Sequence, residues 1–173
     1  MSFINVEIKA HCEDTQAAEQ VLKQQQAKFV GEDHQVDTYF PVKEGRLKLR
    51  TGKIENALIF YQRPNQAGPK RSDISLYQAE DLSGLLSVLE AALSVKVVVD
   101  KRRRIYFIDN VKFHLDEVEG LGSFVEIEAI DYEGKLGEKY LRQQVDEFKE
   151  LLKISSEDLL ERSYSDMLST HQL

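Results

Sequence analysis

A single cysteine, Cys12, leaves this 173-residue chain without an internal disulfide framework or a thiolate metal cluster. Its expected role is that of a small packing residue. No apolar run is long enough to span a bilayer, and Met1-Ser2-Phe3-Ile4-Asn5 has no basic segment leading into an apolar one. Neither a membrane helix nor a secretory leader is expected, and a cytoplasmic location is the default. Cations are outnumbered: 23 Lys and Arg against 30 Asp and Glu give a net charge of −7. That balance argues against nucleic acid or a membrane surface as partner, although the cations that exist are clustered. A Ser-His-Asp arrangement, a glycine-rich phosphate loop and a His/Cys metal cluster are all missing. So are internal repeats, linkers and low-complexity tracts, and residues 1–173 are expected to form one domain.

What the chain does have is alternation. In Phe124-Val125-Glu126-Ile127-Glu128-Ala129, a strand would put Val125 and Ile127 on one face and Phe124, Glu126 and Glu128 on the other. Val6-Glu7-Ile8-Lys9 repeats the pattern with Glu7 and Lys9 together. Arg46-Leu47-Lys48-Leu49-Arg50 sets three cations against two leucines. Any one of these reads equally as a half-buried strand with a solvated polar face. Together they segregate carboxylates on some strands and cations on others. If those faces meet inside a closed sheet, the interior would bind a metal ion and a polyanion.

The rest of the chain supplies the strands for such a sheet. Strands are predicted at Phe3 to Ala10, Val30 to Phe40, Arg46 to Thr51, Ala57 to Arg63 and Ser72 to Gln78. Three more follow at Val95 to Ile108, Val111 to Glu117 and around Phe124, with Asp109-Asn110 as a two-residue hairpin turn. Ile59, Tyr61 and Arg63 share one face, and so do Lys101 and Arg103. Helical spacing predicts a helix after Asp14 or Thr15 to about Lys28, a second over Asp81 to Leu93 and a long third from Leu136 to about Lys153. Ser155 and Asp158 suggest a capping box for a last short helix carrying Leu159, Leu160 and Met167, and the tail from Ser169 should fray. Eight strands joined mostly by short turns imply antiparallel pairing, and closure removes exposed edges. The fold class is therefore α+β: a closed eight-stranded antiparallel barrel with helices packed outside. The apolar helix stripes need the Val/Ile/Leu face of the sheet, which leaves the charged face to line the interior.

Val6-Glu7-Ile8-Lys9, Asp37-Thr38-Tyr39-Phe40, Arg46-Leu47-Lys48-Leu49-Arg50, Lys101-Arg102-Arg103, the run from Asp116 to Glu128 and Ser163-Tyr164-Ser165-Asp166 occur here in the order seen in one known family. On these pieces the chain resembles the CYTH superfamily, which includes class IV adenylyl cyclases, thiamine triphosphatases and inorganic triphosphatases of the triphosphate-tunnel type. The resemblance implies that Glu126 and Glu128 bind Mg²⁺ or Mn²⁺ together with Glu7. It implies that Lys9, Lys48, Arg50, Lys101 and Arg103 hold phosphate oxygens, with Arg46, Arg63 and Lys70 as further substrate-binding candidates. Glu7, Lys9, Arg103 and Asp116 would then carry catalysis, Asp116 as an orienting or minor metal-binding group. The chemistry agrees, since Mg²⁺ takes a few carboxylates plus phosphates and waters, and phosphoryl transfer needs positioning and charge stabilisation above all.

Two positions depart from the family pattern. Asn5 stands where the N-terminal Glu-x-Glu-x-Lys signature has its first glutamate, and its amide oxygen can coordinate without adding charge. Arg63 stands near where many members carry a lysine, and the two differ in reach and geometry. Among the rest, His114 lies beside Asp116 on the charged face and reads as a structural histidine or as a catalyst. His11 and His34 read as solvent residues. Lys70 and Arg71 could close over a nucleotide or be surface charge. Tyr39 and Tyr61 read as packing groups or phosphate donors. Three functions stay open: a class IV-type cyclase converting ATP to cyclic AMP and pyrophosphate, a triphosphatase acting on tripolyphosphate or thiamine triphosphate, and a non-catalytic nucleotide or polyphosphate binder. The resemblance favours the cyclase, and a homodimer is an open alternative to a monomer.

Overall fold

A computed structural model describes residues 1–171. Eight strands, β1 (Ser2–His11), β2 (Lys28–Phe40), β3 (Arg46–Thr51), β4 (Ala57–Gln62), β5 (Lys70–Gln78), β6 (Val97–Ile108), β7 (Val111–Val118) and β8 (Gly122–Asp131), close into an antiparallel barrel. Around the barrel the order is β1-β5-β4-β3-β2-β6-β7-β8. Strand β1 closes the ring, pairing Glu7 with Lys70 on β5 and with Glu128 on β8. The predicted turn at Asp109-Asn110 links β6 to β7, where Ile108 pairs with Val111 and Asp109 adopts a left-handed φ of 50°.

Helices α1 (Thr15–Gln24), α2 (Ser83–Leu93) and α3 (Glu138–Leu151) take up the outward apolar faces. Val6, Ile8, Phe113, Leu115, Val125 and Ile127 are buried against Ala18 and Leu22 of α1 and Leu141 and Val145 of α3. Each such side chain, fully buried, contributes about 1.5–3 kcal/mol. That is why the charged faces must point inward. On the far side Phe40 and Leu49 pack with Leu82 and with Leu85, Leu86 and Leu89 of α2. Helix α4 (Tyr164–His171) instead starts at the cavity, which its Tyr164 lines. Its Tyr164 ring lies 4.9 Å from that of Phe124, within a cluster that includes Tyr39, Tyr61, Val97, Val99 and Val118.

Three local expectations change. Helix α1, capped by Asp14 Oδ1 accepting from Ala17 N at 2.9 Å, ends at Gln24 rather than near Lys28. Phe29 instead lies in β2 and packs its ring 4.8 Å from that of Tyr106. The predicted capping box closes only a 3₁₀ turn, Ser156–Asp158, in which Ser155 Oγ accepts from Glu157 N. Leu159 and Leu160 then run extended: Leu159 bridges Ala10, and Leu160 N donates to Lys9 O at 2.8 Å. A free backbone partner at the end of β1 outcompetes another helical turn. The tail predicted to fray from Ser169 continues α4 through His171, and positions 172 and 173 lie outside the described residues. No helix among the described residues is long and apolar enough to cross a membrane.

Candidate active site

The inward faces enclose a cavity of about 440 Å³, within the size range of small-molecule sites. Its lining includes an apolar stretch of Phe3, Ile74, Leu76, Phe107, Ile130 and Tyr132. Elsewhere it is charged, with Lys9, Lys48, Arg50, Arg63, Lys101, Arg103 and Lys112 against Glu7, Asp37, Glu55, Glu126 and Glu128. Seven cations against five carboxylates make the interior basic in a chain whose net charge is −7. A divalent cation would bring that balance close to the charge of a triphosphate.

Cations from β3 and β6 gather around one carboxylate on β2. Asp37 is 1% exposed and accepts from Lys48 Nζ at 2.9 Å, from Arg50 Nε and Nη2 at 2.8 and 2.9 Å, and from Lys101 Nζ at 2.8 Å. Burial alone would push its carboxyl up, but Arg50, Lys101 and Lys48 together hold it well below the usual carboxylate range. Glu55 reaches the same cluster from the loop after β3. It accepts from Arg50 Nη1 and Gln35 Nε2, each at 2.9 Å, and from Lys112 Nζ. The loop is tied down by Asp33, whose carboxylate accepts the backbone N–H groups of Lys53, Ile54 and Glu55. Gly52 permits that approach, since a Cβ there would stand 2.5 Å from Asp33 Oδ2.

On β6, Arg103 grips Asp116 through two bonds of 2.7 Å and stands 3.5 Å from Glu126 Oε2. Asp116 also accepts from Tyr164 Oη at 2.8 Å, and Lys9 Nζ lies 3.7 Å over the Tyr164 ring.

The opposite wall, from β1, β7 and β8, carries Glu7, His114, Glu126 and Glu128. Burial would raise Glu126, but Lys9 at 3.4 Å and Arg103 hold its carboxyl well below the ordinary range. Burial and the Arg103 charge push His114 down, which favours the neutral imidazole. Glu7 is paired with Arg63. Asn5 Nδ2 donates to Glu128 Oε1 at 2.5 Å. Among the described residues, buried polar atoms without a hydrogen-bond partner include Asn5 Oδ1, Arg63 Nε, Ser72 Oγ and both ring nitrogens of His114. All four residues line the cavity.

Of the residues singled out in the sequence, Glu7, Lys9, Lys48, Arg50, Arg63, Lys101, Arg103, Glu126 and Glu128 line this one cavity. Asp116 sits behind Arg103. Arg46 is drawn to Asp166 at 2.7 Å and Asn65 at 3.0 Å. Lys70 is fully buried, with Nζ donating to the carbonyls of Gln66 and Leu160, and burial beside Arg63 and Lys9 lowers its pKa to about 7. Neither Arg46 nor Lys70 contributes to the cavity lining. Sequence reasoning assigned no role to Asp37, Glu55, Lys112 or Tyr164. Asp33, Gln35 and Asp37 share one face of β2, a polar stripe that already pointed inward. Glu55 left no signal, because it lies in a turn.

The carboxylates and unsatisfied oxygens suit a hard divalent cation. One oxygen each of Glu126 and Glu128 and one nitrogen of His114 lie within 4.8 Å of one another. Glu126 and Glu128 would hold Mg²⁺ or Mn²⁺, with Asn5 orienting Glu128 and its orphaned Oδ1 as a further neutral oxygen.

Residues 4–164 match the CYTH domain. The chain belongs to the CYTH domain family. The candidate adenylate cyclase MJ0240 of Methanocaldococcus jannaschii is 28% identical over 95% of this chain and 98% of its own length. Protein PH1012 of Pyrococcus horikoshii has a solved structure that superposes with a TM-score of 0.79 at 23% identity, covering 94% of this chain and 98% of that one. HpAC1 of Hippeastrum, described as a candidate adenylyl cyclase with a dominant triphosphatase activity, aligns with a TM-score of 0.62 at 13% identity over 98% and 95% of the chains. At these identities the structures establish a shared fold. The family groups both reactions on one barrel.

Proposed function

We propose that this CYTH protein processes a nucleoside triphosphate in a divalent-metal-dependent reaction, with cyclisation of ATP to cyclic AMP and pyrophosphate as the leading reading. The observation that carries it is one cavity that holds the Lys48, Arg50 and Lys101 cluster, the Glu126 and Glu128 carboxylates, and apolar side chains from β1, β5, β6 and the end of β8. Lys48, Arg50 and Lys101, pre-aligned by Asp37, bind the leaving pyrophosphate oxygens. Arg103, fixed by Asp116, and Lys9 neutralise charge at the reacting phosphoryl group. Arg63 moves from Glu7 to a phosphate oxygen when substrate enters, which frees Glu7 to join Glu126 and Glu128. A bound Mg²⁺ or Mn²⁺ supplies Lewis-acid polarisation of the phosphate oxygens. The apolar stretch with Phe3, Phe107 and Tyr132 accommodates a ring system beyond the phosphates, and the curated relative named as a candidate adenylate cyclase points the same way.

A triphosphatase is the second reading, because the cation set grips phosphates regardless of what they carry. The protein incubated with ATP and with tripolyphosphate, each with Mg²⁺ or Mn²⁺, distinguishes them by product. Cyclic AMP with pyrophosphate supports the cyclase, orthophosphate the triphosphatase, and no turnover under any combination overturns both in favour of a binder.

A further inference from the structure

One corner of the cavity is left unexplained by phosphate binding. His114 is 2% exposed, yet neither Nδ1 nor Nε2 has a hydrogen-bond partner among the described residues. Its Nδ1 stands 3.8 Å from Glu126 Oε1, beyond hydrogen-bond reach. Burying a polar group without a partner is unfavourable, and a residue needed only for packing would not carry two. The two oxygens of Glu126 divide their work: Oε2 faces Lys9 and Arg103, at 3.4 and 3.5 Å, and Oε1 faces His114. Glu128 completes the group, with its Oε1 held by Asn5.

The neighbours explain why a nitrogen matters here. Position 5 is an amide, so β1 adds no charge at that point, and the Glu7 carboxylate is engaged by Arg63. Among the His, Cys, Asp and Glu side chains of the described residues, the imidazole of His114 is the group that converges with Glu126 and Glu128. Imidazole suits Mn²⁺, Zn²⁺ and other transition ions, whereas Mg²⁺ prefers an all-oxygen shell in which it keeps several waters.

We propose that His114 is a direct nitrogen ligand of the divalent cation, beside Glu126 and Glu128, and that this set selects Mn²⁺-like ions over Mg²⁺. The proposal rests on the metal-dependent reading above but can fail separately from it.

The test is metal binding by the intact, substrate-free protein in a buffer without nitrogen ligands. Calorimetry with Mn²⁺ and with Mg²⁺ gives the affinities, and pulsed electron paramagnetic resonance of bound Mn²⁺ detects nitrogen coupling. Wild type should bind Mn²⁺ about tenfold or more tighter than Mg²⁺ and show imidazole coupling. His114→Phe and His114→Gln should both lose the coupling and bind Mn²⁺ roughly 10- to 100-fold more weakly, as loss of a ligating or supporting group does, while Mg²⁺ affinity moves far less. Thermal melts establish that each variant is folded. Nitrogen-15 histidine in the wild type reads the same ligation without any substitution, because the coupling changes with the isotope. Mn²⁺ bound with no nitrogen coupling, or with coupling that survives both substitutions, overturns the proposal and leaves a carboxylate-only metal site standing. No binding of either ion, with or without tripolyphosphate, overturns the proposal and the metal-dependent reading together.

Discussion

Across one cavity, Asp37 sits 1% exposed among Lys48, Arg50 and Lys101, while His114 and Asn5 opposite keep buried polar atoms with no partner. The charged side chains of the first wall are paired within the protein. Among the described residues, the unsatisfied buried atom nearby is Gln35 Oε1, which lies outside the cavity lining. The second wall is incomplete until something fills it. Removing one partner of a buried charge pair is felt in stability, whereas buried polar atoms left without a partner are open to a ligand and their loss is felt in binding. Pre-aligned cations suit chemistry that depends on position and charge, because little reorganisation remains when the anion arrives. The first wall is already paired before any ligand arrives, and the second is not.

The sharpest way to break this contrast is to substitute one wall and read the other property. Glu128→Gln, on the incomplete wall, should lower metal-dependent turnover by about a thousandfold, or about 4 kcal/mol in the barrier, with the melting temperature almost unmoved. Normal turnover at the same metal concentration would remove Glu128 from the metal site.

Asp37→Asn should do the reverse. It strands Lys48 and Lys101 in the interior, leaves Arg50 with Glu55 alone, and should cost about 3–5 kcal/mol of stability, read as a lower denaturant midpoint. Tripolyphosphate should restore part of that loss by supplying the missing negative charge. A melt within experimental error of wild type would mean that the wall is not held by Asp37.

Ligand length offers a third probe. At a hundredfold excess over Kd, an anion that binds only the folded state stabilises it by about 2.7 kcal/mol. At roughly 2–4 °C per kcal/mol for a chain of this size, that is a rise of about 5–10 °C. Tripolyphosphate should produce it and orthophosphate should not, because only the longer anion bridges cations on several strands. Equal melting temperatures for ortho-, pyro- and tripolyphosphate would contradict a shared phosphate site.

The smallest effect is in the pH dependence. The Asp37 carboxyl lies below its unfolded value, so its contribution is complete above about pH 4 and is lost as the pH falls further. One such group changes stability by at most about 1.4 kcal/mol per pH unit. Acid melts of wild type should therefore be steeper below pH 4 than those of Asp37→Asn. Parallel curves would show that other carboxylates dominate acid unfolding.

Much of the barrel was legible because strand alternation is local. A period of two residues places Glu126 with Glu128, Glu7 with Lys9 and Lys101 with Arg103 before any partner strand is known. The helix stripes then decide which face turns inward, since they need apolar sheet to cover. That reasoning yields a closed antiparallel barrel with a charged interior, and it gathers nine of the candidate site residues into one cavity. Local pattern also failed where a long-range partner was stronger, as at Leu159 and Leu160, which run extended beside β1 instead of entering a helix.

Alternation along each strand therefore tells which side chains face inward and how their charges are sorted. Which of them pair is set by the folded barrel. Register brought Asp37 between Lys48, Arg50 and Lys101. A loop held by Asp33 delivered Glu55, and contacts with Asp166 and with main-chain carbonyls turned Arg46 and Lys70 away from the cavity. His114 was left with two unanswered nitrogens. The physical reason is range: side-chain direction repeats every two residues along one strand, whereas charge pairing depends on distances of a few ångströms between strands far apart in the chain.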